Sequence, residues 1–158
     1  MMTAASIDLM GRRAVLATMH GKERVIGPVV AALGIQTEVP PGFDSDRYGT
    51  FTREISRAGS QLEAARQKAL AAMALTGYDL ALASEGAFGP DPMIPWVACD
   101  RELVLLVDRQ SGLELVGEAI STTTNYSQAR VTSLTEALQF ADSANFPSHA
   151  LVAMPMPP

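Results

Sequence analysis

The chain has 158 residues, 47% of them hydrophobic and 18% charged, which is the length and apolar content of one domain, residues 1–158, with a full core. Its net charge of −5 offers no basic surface to a nucleic acid. A single cysteine, Cys99, excludes an internal disulfide and a cysteine-based zinc pattern, and no run of about 18 apolar residues is present to span a membrane.

Residues 1–11 are a polar lead-in with Asp8 placed early and no apolar stretch of signal-peptide type, so cytoplasmic residence is the expectation. Residues 13–19 (RAVLATM) have the composition of a first central strand. A turn follows, and residues 22–33 place Val25, Ile26, Val29, Val30 and Leu33 on one side of a helix. Pro28 either sits inside that helix or starts a shorter one at its first position. Gly34 stops it, and residues 35–39 read as a second short strand.

Residues 40–57 are irregular, a length of loop that is more often functional than idle. Ser60 and Glu63 then have the spacing of a capping box. Good helix formers fill the following turns until Gly77, which suits the left-handed residue after a helix. Residues 79–83 (DLALA) read as a strand covered on both faces. That strand is expected to end at Ser84-Glu85-Gly86, with a lone carboxylate where α/β sheets bind ligands.

Pro90 to Pro95 cross over, and residues 96–109 give a strand centred on 103–107. Ser111-Gly112 suits a hairpin turn to an antiparallel partner at 113–123. Residues 134–141 are helical in pattern, with Thr132 or Ser133 as cap and Glu136 as acceptor, and residues 150–154 suggest a last strand. Strands alternating with helices and then a hairpin predict an α/β fold, a mixed sheet flanked by helices. A strand so near the last residue leaves two readings: the N-terminal part of a longer architecture, or a sheet completed by a second copy in a homodimer.

Two stretches carry a resemblance: Ala17-Thr18-Met19-His20-Gly21-Lys22 after the first strand, and residues 59–69 (GSQLEAARQKA) at the second helix start. They resemble the A-T-x-N-x-x-K loop and the G-x-T-F-x-E-N-A-x-x-K-A helix start of the inosine triphosphate pyrophosphatase-like (Maf/Ham1-type) superfamily of nucleotide hydrolases. Thr18, Lys22, Gly59, Glu63, Ala65, Lys68 and Ala69 match, and Glu85-Gly86 is similar to that superfamily's acidic turn. His20 stands where asparagine would be, one residue is missing from the loop, and Ser84 replaces a second acid. More closely, the chain looks like an uncharacterised bacterial family known as a domain of unknown function, through residues 46–55, 57–66 and 84–90. That family's members run on past this chain's end, and it brings no activity.

The superfamily resemblance implies its fold, a nucleotide as small-molecule partner and Mg²⁺ as cofactor. Glu63, Glu85 and, more weakly, Asp100 are then the metal ligands, since a hard cation favours carboxylates and phosphate oxygens. Thr18, His20, Lys22 and Lys68 fall to the phosphates, with Arg53 and Arg57 as bidentate clamps. Glu85 is the catalytic candidate, as base or as ligand. Metal-dependent hydrolysis of a nucleotide or related phosphate ester is thus the expected function. The alternative is a non-catalytic nucleotide-, anion- or partner-binding domain in which Glu63 serves only its helix cap and Glu85 is paired with Arg53, Arg57 or Arg101.

Overall fold

The computed structural model describes residues 8–18, 21–44 and 60–154. Within them the chain runs β1 (Arg13–Ala17), α1 (Glu23–Ala31), β2 (Gln36–Glu38), α2 (Gln61–Thr76), β3 (Leu80–Pro90), β4 (Ala98–Asp108), β5 (Leu113–Ser121) and α3 (Leu134–Ser143). The strands form one sheet in the order β2-β1-β3-β4-β5. β1 is parallel to β2, with Val15 opposite Glu38, and parallel to β3, with Ala17 opposite Ala83. The connections from β3 to β4 and from β4 to β5 are too short for the crossover that a parallel pair needs, so those pairs are antiparallel and the sheet is mixed.

Strand alternation sorts the core into two layers. Val15, Ala17, Ala81, Ala83, Leu103 and Leu105 turn to one face, where α2 packs Ala65, Ala69, Ala72 and Met73 against them. Ala14, Leu16, Leu80, Leu82 and Leu106 turn to the other, beneath Val30 and Ile26 of α1 and beside Ile35. The alanine stripe of α2 brings that helix close to the sheet. The crossover from β1 to β2 and the return from β2 past β1 to β3 run in opposite directions along the sheet, so crossovers of one hand put α1 and α2 on opposite faces.

The chain divides into two compact units, Met1–Ala87 with Arg101–Ala119, and Phe88–Asp100 with Ile120–Pro158. The first contains both core layers. In the second, Asp91 Oδ1 accepts from the Met93 and Ile94 amides at 2.8 and 2.9 Å. Phe88 stacks on Tyr126 with ring centroids 6.2 Å apart, and Ser133 caps α3 by accepting from the Glu136 amide. Trp96 is 85% exposed and takes no part in either core layer.

One alternative is resolved and two expectations change. Pro28 lies inside α1, which begins at Glu23 and not near Gly27; the missing N–H removes only the bond to the Arg24 carbonyl. The strand expected to end at Ser84-Glu85-Gly86 continues through the glycines to Pro90, because β4 beside it supplies a ladder partner that outweighs glycine's weak strand preference. Residues 150–154 form no strand. Their β-like composition finds no strand partner among the described residues, and Leu151, Val152 and Met154 lie exposed.

Candidate functional site

β1 feeds α1 and then β2 on one side, and the chain returns through α2 to β3 on the other side of β1. The carboxyl ends of β1 and β3 therefore flank a topological switch point, where loops part and leave a crevice. An open cleft of about 410 Å³ lies beyond the carboxyl ends of the neighbouring parallel pair β1 and β2, lined by Thr18, Gly21, Glu23, Val39, Pro40, Pro41, Gly42 and Phe43. That volume is in the range of small-molecule sites. Gly21, with φ of +78°, makes the turn into α1 that a β-carbon would strain.

Alternation continues past the hydrophobic layers and places the polar residues. On the α1 face, the Thr18 and Ser84 hydroxyls lie 3.2 Å apart, both buried. Lys22 Nζ donates to Glu102 Oε1 at 3.0 Å and Oε2 at 2.7 Å, both side chains being about a third exposed. A β-carbon on Gly86 would stand 2.7 Å from Glu102 Oε1. Gly86 thus leaves room for the glutamate to reach the lysine. Although Gly21 and Glu23 line the cleft, the ammonium between them is held at β4.

On the α2 face, Lys68 and Glu85 form an ion pair with only 9% and 4% of their side chains exposed. Lys68 sits within the buried alanine stripe, among Ala64, Ala65, Ala69 and Ala72. Its long stem packs along the sheet while its head reaches the carboxylate. Glu63 completes the capping box: its Oε2 accepts from the Ser60 amide at 2.6 Å and hydroxyl at 3.2 Å, while its own amide donates to Ser60 Oγ. Those bonds, the amide first, hold its carboxyl below the usual range.

Thr18 lines the cleft, Lys22 flanks it, and Lys68, Glu85 and Glu63 lie with α2, while Asp100 belongs to the second unit. His20, Arg53 and Arg57 lie outside the described residues. Glu85 faces Lys68, where the sequence suggested an arginine as its ion-pair partner. Among the described residues no three His, Cys, Asp or Glu side chains are placed to hold one metal ion. With Glu63 committed to the cap and Glu85 to Lys68, the described residues do not fit a magnesium centre.

Ser84, Gly86 and Glu102 are site residues that sequence reasoning passed over. The signal was present: a two-residue period carries Leu106 and Val104 down to Glu102 on the same face of β4. Lys68 was equally legible as a charge in the buried stripe of its helix, at the spacing of Ala64, Ala65 and Ala72.

Fold and cleft together define an α/β domain with a mixed sheet and a cleft beyond its parallel strands β1 and β2. The chain belongs to the DUF6671 family, a domain of unknown function, whose profile matches residues 68–155. No curated protein matches the chain in sequence. Among solved structures, a lipoprotein from Neisseria meningitidis aligns at 17% identity over 87% of this chain and 99% of that one, with a TM-score of 0.30, a likeness too weak to inform fold or function. No helix among the described residues is long and apolar enough to cross a membrane.

Proposed function

We propose that the chain binds a small phosphate-bearing molecule, a nucleotide or related phosphate ester, in the cleft beyond β1. The observation that carries this reading is the cleft's position beyond the carboxyl ends of the parallel strands β1 and β2, with Thr18 and Gly21 of the β1–α1 connection in its wall. The Thr18 hydroxyl is a donor suited to phosphate oxygens, and the positive end of the α1 dipole favours an anion beside it. The resemblance of Thr18 and Lys22 to the nucleotide loop of inosine triphosphate pyrophosphatase-like proteins supports a nucleotide as the bound class.

Hydrolysis with Mg²⁺ is the stronger form of the same proposal, and the resemblance alone supports it. Glu85, the expected base, lies on the α2 face against Lys68, across the sheet from Thr18, which favours binding over turnover. The experiment is equilibrium binding of a nucleoside triphosphate panel, inosine and xanthosine forms included, with and without Mg²⁺, beside release of phosphate and pyrophosphate. Saturable binding that Thr18→Val weakens is the expected result. Mg²⁺-dependent turnover abolished by Glu85→Gln would favour the hydrolase instead, and absence of any binding would overturn both.

A further inference from the structure

Glu102 stands where the cleft's cation would be expected to be free. Lys22 is the residue between Gly21 and Glu23, both of which line the cleft, yet its ammonium is engaged by both oxygens of Glu102 at 3.0 and 2.7 Å. The glutamate reaches it across Gly86, where a single added carbon would come within 2.7 Å of Glu102 Oε1. Two features of β3 and β4 thus cooperate: a carboxylate aimed at the lysine, and a side-chain-free position that lets it through. The two side chains, 36% and 40% exposed, are reachable from solvent, so the pair can be opened without unfolding the core.

We propose that Glu102 is a resident anion that an incoming phosphate displaces from Lys22, so that this glutamate sets how strongly charged a ligand must be to occupy the cleft. The inference rests on the phosphate-binding reading above. A carboxylate carries one negative charge where a di- or triphosphate carries several, and the positive end of the α1 dipole adds to the attraction of the more highly charged ligand. A singly charged ester gains little over Glu102 and binds weakly; a polyphosphate wins the exchange. The device selects for charge density without touching the part of the ligand that distinguishes one nucleotide from another.

Calorimetric titration of the full chain with inorganic pyrophosphate and with inorganic phosphate tests this, using wild type, Glu102→Gln, Gly86→Ala and Lys22→Gln. Glu102→Gln keeps the shape and removes the competing charge. Exposed pairs of this kind are weak, so about a two- to fivefold gain in affinity for both anions is expected. Gly86→Ala is the independent variant: only the mobile end of the Glu102 side chain stands in the way of the new methyl, so it displaces the carboxylate without changing any charge, and the same direction of effect is expected. Lys22→Gln should abolish the gain when combined with Glu102→Gln.

If wild type binds pyrophosphate and both Glu102→Gln and Gly86→Ala bind it no more tightly, the displacement idea is overturned while the cleft reading stands. Weaker binding in Glu102→Gln would overturn it too, making Glu102 a supporting residue. If no variant binds either anion, the phosphate-binding reading itself fails.

Discussion

Lys68 and Glu85 meet across the interface of α2 and β3, and both are all but removed from solvent. Such a pair holds its helix in one register at a desolvation cost that the mutual attraction roughly offsets. Removing one partner is a different matter. Lys68→Met leaves the Glu85 carboxylate buried without its ammonium and is expected to cost about 3–5 kcal/mol. Adding Glu85→Leu should recover most of the loss. Urea denaturation followed by circular dichroism decides it; a Lys68→Met chain as stable as wild type would rule the pair out as a fastening of α2.

Asp108 gives the fold its acid sensitivity. Both of its oxygens accept from the Arg12 guanidinium at 2.8 Å, and the Ser111 hydroxyl and Gln110 amide add further bonds. Arg12 first, against the opposing effect of burial, holds the carboxyl far below the usual carboxylate range. A folded-state value lower than the unfolded one means stability that is complete above the ordinary carboxylate range, about pH 4, and lost as pH falls below it. Asp108→Asn should therefore cost about 2 kcal/mol at pH 7 and progressively less toward pH 2. Denaturation midpoints measured across that range give the answer, and a constant difference between the two proteins would contradict it.

The start of α2 depends on one small side chain. Ser60→Ala removes the hydroxyl that accepts from the Glu63 amide and should cost about 1 kcal/mol. Ser60→Asp, which can accept the same bond, should cost much less. Thermal melting of the two variants separates a cap from an incidental contact.

Thr18 joins the stability of the sheet to the proposed binding. Its hydroxyl faces that of Ser84 at 3.2 Å in a buried setting. Thr18→Val keeps the shape, and the lost bond should cost about 1 kcal/mol. If the cleft takes phosphate there, the same variant should weaken pyrophosphate binding several-fold. Titration of a fully folded Thr18→Val protein with undiminished affinity would move the ligand elsewhere.

The elements were legible where local chemistry sets them. Ser60, Glu63 and Gly77 announce both ends of α2, and Gly77 does adopt the left-handed conformation, with φ of 75°. Ser111 and Gly112 announce the hairpin turn. What sequence order concealed was partnership across the sheet. Glu85 was read as ending a strand because its neighbours are glycines, whereas β4 holds those glycines in extended pairing. Lys22 and Glu102 are separated by 80 residues, and nothing local in either stretch names the other. The face on which a side chain falls depends on register, and register appears only once the strands are paired.

Ser84, Glu85 and Gly86 are consecutive, yet they serve opposite sides of the sheet. The middle residue fastens α2, while its two neighbours shape the floor beneath Thr18 and Glu102. Insertion or loss of one residue ahead of them would swing the carboxylate into the cleft and the hydroxyl into the alanine stripe. The anchoring of a helix and the chemistry of a pocket thus share two peptide bonds, and no change in the length of β3 at this point could alter one and spare the other.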